Sequence, residues 1–272
     1  MVCAVSGGPD SLALLALAAH ADLVVTAIHV DHGIRPGSSE EALVVSDAAH
    51  RFGASFRAER VTIDPNGSDL EQSMRIERRK VLGRDALTGH TADDQAETVL
   101  INMLRGAGPT GLAGMRAGPP HPILDLRRVE THRLCQELDL DPVEDPSNYD
   151  PRFVRNRVRH ELLPLMSDIS GRDPVPLLYR TAQHLRSVTD HLDHLASEVD
   201  PTDTRRLRVV GSEVAKAALR QWLRNELGHP PSTSELNRVL EVVDHRVIAC
   251  QLSGGRRVAR TKGRLRIESG KV

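Results

Sequence analysis

Aromatic residues are scarce in this chain of 272 residues: one Trp, two Tyr and three Phe, 2% in all. Extensive stacking of nucleic-acid bases on rings is thereby excluded. Any contact with nucleic acid must lean on arginine, which grips phosphate bidentately and can itself stack on bases. Cysteine is rare too. Cys3, Cys135 and Cys250 stand far apart with no C-x-x-C among them. That spacing argues against a disulfide scaffold, a zinc site or a redox pair, and it fits a reducing cytosol. Long apolar runs are missing. The longest starts at Leu12 and is broken by His20 and Asp22, far short of a bilayer span. No signal peptide precedes the first motif at Ser6, so a cytoplasmic protein with no membrane contact is expected. The formal net charge is only -1, without a basic tail.

What is present is a soluble, globular composition: 39% hydrophobic and 27% charged residues, enough for one large domain or two ordinary ones. The first half alternates short apolar runs with amphipathic stretches. Val2–Val5, Leu23–Val30, Ser55–Ile63 and Asp85–Thr88 read as strands; Asp10–His20, Ser38–Phe52, Asp69–Leu82 and Asp93–Arg105 read as helices. Strict alternation predicts an α/β fold, a parallel sheet flanked by helices, with ligands beyond the carboxyl ends of the strands. Gly106–Gly114 reads as a flexible loop, and Arg152–Leu163 as a basic helix that ends near Pro164. Past Pro174 and Pro176 the pattern becomes mostly helical, with Leu177–Val199, Ser212–Leu227 and Ser232–Asp244, then a terminal hairpin. The expected division is a nucleotide domain over 1–166 and a mostly helical domain over 174–272.

Three segments carry chemistry. Ser6-Gly7-Gly8-Pro9-Asp10-Ser11 lies between a predicted strand and helix. Its glycines let backbone approach an anion, and its amides and helix start supply positive potential. It lacks the lysine of a Walker-type loop, so it suits a pyrophosphate leaving group better than a γ-phosphate in transfer. Asp10 beside phosphate suggests a bridging Mg2+; the plain alternative is an Asp-capped turn. His29-Val30-Asp31-His32-Gly33 closes the second strand, where apolar backbone can hold an adenine edge; structural histidines are the alternative. In Gly89–Thr98, Asp94 and Glu97 share a helix face and can hold Mg2+ or an amine. Capping by Thr91, Asp93 and Asp94 is the alternative there.

The Ser6–Ser11 segment resembles the S-G-G-x-D-S hallmark of the PP-loop ATP pyrophosphatases. Further segments are similar to those of one member family, the tRNA(Ile)-lysidine synthetases. His29–Arg35 is similar to H-V-D-H-G-L-R, and Gly89–Thr98 to G-H-x-x-D-D-x-x-E-T. Glu71–Arg78 is similar to E-A-A-A-R-x-x-R, with Arg79 where tyrosine is usual, and His121 replaces the arginine of R-P-L-L. Asp145–Asn148 and Arg155–Pro164 match D-P-S/T-N and R-N-x-I/V-R-H-x-L-L/I-P. The stretch from Lys80 to Asp85 is shorter than the family norm by about two helical turns.

The resemblance implies ATP-dependent adenylation of the wobble cytidine of tRNA(Ile) with a CAU anticodon, then attack by free lysine. It implies Asp10, Asp94, Glu97 and Arg78 as catalytic residues. It assigns ATP to Ser6, Gly7, Gly8, Pro9, Asp10, Ser11, Val30, Asp31, His32, Gly33 and His90, and Mg2+ to Asp10 and Asp94. It assigns tRNA to Arg155, Asn156, Arg157 and Arg159. Family members are often dimers, which makes a homodimer an option. The rival readings are a PP-loop tRNA thiolase, disfavoured by the cysteine spacing, and a non-catalytic tRNA- or nucleotide-binding module. A second basic cluster, Arg256, Arg257, Arg260, Lys262, Arg264 and Arg266, reads either as a tRNA contact or as a charged strand edge.

Overall fold

The computed structural model describes residues 1–31, 38–61, 70–83 and 85–269. His32 and Gly33, and the predicted element ends at Ile63 and Asp69, lie outside the described residues. Two compact units divide after Arg186.

In the first unit, strands β1 (Val2–Ala4), β2 (Thr26–Asp31), β3 (Ser55–Arg60) and β4 (Leu87–Thr88) alternate with helices α1 (Pro9–His20), α2 (Ser38–Arg51), α3 (Leu70–Leu82) and α4 (Ala92–Leu104). The strands form one parallel sheet in the order β3-β2-β1-β4, with Cys3 opposite both Ala27 and Leu87. Side chains alternate between the two faces. Cys3, Val5 and Ala27 join Leu12, Leu15 and Val45 on the α1–α2 side, while Val2, Ala4, Ile28 and Val30 meet Leu82 on the other. Burial on both faces explains why β1 and β2 read as continuous apolar runs, whereas β3 at the sheet edge is mostly exposed. β2 starts only at Thr26, and Leu23 and Val24 before it are exposed.

The chain winds from β1 outward to β3, then returns to pair β4 on the other side of β1. Strand order therefore reverses between β1 and β4, and a crevice opens there beyond the strand ends. The expected flexible loop contains a helical turn, α5 (Pro109–Leu112), pinned where Asn102 Nδ2 donates to Gly111 O at 2.8 Å. A helix not foreseen, α6 (Arg128–Glu137), packs on α1.

The basic helix does not end at Pro164. α7 (Val154–Arg157) passes through a wide π-turn over Val158–Leu162 into α8 (Leu163–Ser170), and Pro164 sits in the first turn of α8. Proline lacks the N–H that a helix interior needs, and the change of hydrogen-bond register at the π-turn makes that loss tolerable. Val158 and Leu163 pack on Ala92, Ala96 and Leu100, the apolar face of α4. α9 (Pro174–Ser197) follows and contains the boundary between the units.

The second unit adds α10 (Thr204–Val209), α11 (Ser212–Leu227) and α12 (Thr233–Val243), then an antiparallel sheet β5 (Ala249–Gln251), β6 (Arg256–Thr261) and β7 (Arg264–Ser269). Its core gathers Leu219, Leu223, Val239, Val242, Val258 and Leu265. Lys262 and Gly263, both at positive φ, make the two-residue turn that the twist of a hairpin favours. The alternation of β6 splits the distal arginines. Val258 is fully buried, so Arg257 lies on the opposite face from Arg256 and Arg260. Arg257 faces Glu268, and Arg264 reaches Asp200. Among the described residues, no helix is long and apolar enough to cross a membrane.

Candidate active site

The loop after β1 is built to keep its amides accessible. Gly7 takes φ of 90°, a backbone region closed to most side chains, and Gly8 caps α1 with Pro9 in the first turn. The Ser11 hydroxyl accepts from Ser6 N at 3.1 Å and donates to Gly8 O at 2.9 Å, which curls the loop around the helix start. Val143 N donates to Gly7 O at 3.0 Å and fixes the far side. The result is a concave backbone at the positive end of a 12-residue helix.

The loop after β4 lies directly against it. A Cβ on Gly89 would stand 2.6 Å from the Asp10 carbonyl oxygen and 3.0 Å from Ser11 Cα, so only glycine permits this approach. Thr91 opens α4, and Asp94 Oδ2 accepts from Thr91 N and Oγ1 at 2.9 and 3.0 Å. Capping and chemistry are thus not alternatives for Asp94: one oxygen caps, the other faces the crevice. Asp93 does not cap its own helix. It accepts from Arg128 N at 2.8 Å and from Arg127 Nε at 3.0 Å, so it anchors the start of α6 instead.

That anchor delivers Arg128, which the sequence reading missed. Its Nε lies 3.5 Å from Asp10, its Nη2 3.2 Å from Asp94, and Nη1 and Nη2 each 3.3 Å from Glu97. Thr131, one turn on, donates to Asp10. Glu97 is fully buried and also accepts from Arg159 Nε at 2.7 Å and Nη2 at 3.2 Å. Arg155 Nε approaches the same carboxylate at 3.9 Å. Three acids and three arginines therefore interlock. Burial pushes the Asp10 carboxyl above its ordinary value, and Asp94 adds to this against the pull of Thr131 and Arg128. Burial works on Asp94 in the same sense, but Arg128, His90 and the Thr91 amide outweigh it and hold that carboxyl low. Two acids of one crevice with opposite shifts are the electrostatic pattern of a reactive site.

The remaining predicted residues separate. Asn156 is buried, and its amide holds Ser147 O at 2.7 Å and Asp150 O at 2.9 Å. Arg157 turns outward to Glu161 at 2.8 Å. Val30 and Arg78 line a cavity of about 700 Å³ together with Ser6, Asp10, Asp94 and Arg128. Asp31 lies 3.9 Å from Arg60. Among the described residues, no group of three or more His, Cys, Asp or Glu converges as a metal site. A cation held against phosphates needs only one or two carboxylates. Asp10 and Asp94 can serve, and such a cation would share or replace the contacts of Arg128.

His90 shares the Thr88 hydroxyl, 2.7 Å away, with His121, and the two rings meet edge to face at 4.8 Å. Burial lowers its pKa to about 4, and His121 and nearby arginines add to this against the pull of Asp94. At pH 7 the ring is neutral in the folded chain and mostly neutral in the unfolded one. Between pH 6.5 and about 4 the unfolded chain binds a proton that the folded one refuses, so stability falls as pH drops through that window. The loss is on the order of 3 kcal/mol. Denaturant midpoints at pH 7.5 and 4.5 should therefore drop less on acidification in His90→Gln than in the parent. An equal drop would show that the ring titrates normally.

Residues 1–166 match the family model of a PP-loop domain. The tRNA(Ile)-lysidine synthase of Nocardia farcinica is 39% identical over 93% of this chain and 83% of its own length. That of Rhodococcus jostii is 41% identical over 81% and 72%. That of Mycobacterium tuberculosis is 37% identical over 98% and 86%. Among solved structures, the U34-tRNA thiolase NcsA from Methanococcus maripaludis with its 4Fe-4S cluster superposes with a TM-score of 0.56. It is 18% identical and covers 70% of this chain and 71% of that one, a likeness of fold.

Proposed function

The chain belongs to the ATP-using tRNA(Ile)-lysidine synthase family of PP-loop enzymes, and on that premise we propose that it joins free lysine to the wobble cytidine of tRNA(Ile) bearing a CAU anticodon. When bound, ATP supplies an AMP leaving group for the 2-oxygen of the base, which the ε-amine of lysine then replaces at carbon 2. The Ser6–Ser11 loop receives the departing pyrophosphate on its amides. Asp10 and Asp94 are the residues that would hold a Mg2+ ion there. Asp94, with one oxygen facing the crevice, would orient the incoming ε-amine, which attacks in its neutral form. Glu97 has no exposed surface and is enclosed by Arg128 and Arg159, so its part is to hold those arginines in place. Arg78 at the cavity wall and the Arg155–Arg159 face bring positive charge to the nucleotide substrates. A cytoplasmic setting, a homodimer and a tRNA-contacting role for the domain over 174–272 belong to the same reading.

The observation that carries it is the meeting of the phosphate cradle, the Asp94–Glu97 helix face and Arg155 and Arg159 at one switch point. A thiolase reading is poorly served by the cysteines. Cys3 and Cys135 are buried with thiols pushed up to about 11, chiefly by burial, and Cys250 belongs to the second unit. Cluster chemistry needs several thiolates that converge. The deciding assay is pyrophosphate release with tRNA carrying CAU, with and without lysine. Release that requires this tRNA, and tRNA-bound AMP that accumulates without lysine, is the expected result. Release indifferent to the anticodon would overturn the assignment.

A further inference from the structure

One aromatic ring stands apart. Of the chain's one Trp, two Tyr and three Phe, Tyr149 is the most exposed, at 67%. It is not a loose surface residue. Tyr149 ends a short 3-10 turn, Pro146–Tyr149, which Asp145 caps through Ser147 N at 2.8 Å. Asn156 clamps the turn from behind through Ser147 O and Asp150 O. The ring stacks on His160, centroids 5.1 Å apart and planes 25° off parallel. His160 Nε2 is in turn held by Asn148 O at 3.0 Å. Both rings line the same cavity as Asp10 and Asp94. A flat ring pinned on one face, open on the other and placed at the rim of a reactive crevice has the form of a stacking platform.

We infer that the Tyr149–His160 pair is the platform on which the target pyrimidine of the tRNA lies while it reacts, an inference that rests on the function proposed above. A base must leave its own stack to reach a buried active site, and a ring that replaces the lost stack offsets that cost. The platform suits the target base rather than adenine for a reason of layout. The cavity offers apolar wall at Ile28 and Val30 of β2 and at Leu82 of α3, beside the phosphate cradle, and that wall suits the base of ATP. Tyr149 and His160 instead belong to the stretch of chain that carries Arg155 and Arg159, the arginines that reach Glu97 beside Asp94.

The test uses the whole chain and tRNA(Ile) whose wobble cytidine is replaced by a fluorescent cytidine analogue. The parent protein should quench the analogue on binding. Tyr149→Leu should lose the quench and raise KM for unmodified tRNA, or lower its turnover, by about 5- to 150-fold, the range of one base–ring stack. Tyr149→Phe should behave as the parent, and KM for ATP should stay unchanged in both. A Tyr149→Leu protein with parental quench and KM would overturn the inference. So would a matching loss of ATP affinity, which would give the ring to adenine, or a change confined to thermal stability. A parent protein that quenches the analogue yet releases no pyrophosphate would remove the proposed function and leave the platform standing.

Discussion

Asp10→Asn is expected to cut tRNA-dependent pyrophosphate release by at least about 100-fold, the usual consequence of deleting a preorganised charge from a reacting centre. In the same protein, the denaturant midpoint at pH 7.5 should rise rather than fall. The two effects have one cause. Burial raises the pKa of Asp10 in the folded chain, so the folded state prefers the carboxyl neutral. A carboxyl of this kind favours folding at acid pH. That contribution disappears as pH rises through the unfolded value of 3.8 and on through the higher folded one. At pH 7.5 the ionised group is a net cost, which asparagine removes while keeping an acceptor for Thr131. Such a cost is retained in a fold when function needs the charge. Parental turnover in Asp10→Asn would end the assignment of Asp10, and a lowered midpoint would show that Arg128 outweighs burial.

Arg128→Met should be the most damaging single change in the first unit. It strips Glu97, which has no exposed surface, and Asp94 of a shared cation and leaves their charge incompletely matched. Breaking a buried pair from one side costs about 3 kcal/mol or more. Turnover should fall by about 100-fold as well, because the geometry of Asp10, Asp94 and Glu97 depends on one guanidinium. Arg128→Lys separates charge from shape. It should recover part of the stability and little of the turnover, since an ammonium cannot span three carboxylates as a planar fork does. Urea titration and pyrophosphate release read the two effects independently. A Met variant as stable as the parent would mean that Arg155 and Arg159 alone neutralise the cluster.

The contrast between Asp94 and Arg128 shows what the sequence made legible. The phosphate cradle and the Asp94–Glu97 face are local: six consecutive residues, and two positions three apart on a helix. Their geometry follows from backbone rules. Arg128 reaches Asp10 across 118 residues of chain and Glu97 across 31, and no spacing rule announces such a meeting. Asp93 looked like a cap because it starts a helix, yet its partner is the start of α6. The Arg155–Arg159 cluster was legible as charge but was grouped too broadly. Residues four apart share a helix face and residues two apart do not, so Arg155 and Arg159 turn inward while Arg157 faces Glu161. Alternation split the distal arginines in the same way. Pro164 misled because proline usually ends a helix, and a π-turn is not visible in composition.

The missing side chain at position 89 has a mechanical meaning. The phosphate cradle and the acid-bearing helix touch through bare backbone, with less than an ordinary atomic contact to spare. Their spacing is therefore gauged by an absence: any side chain at position 89 would force the two loops apart. The tolerance of the whole site to drift is set there, at a residue that performs no chemistry.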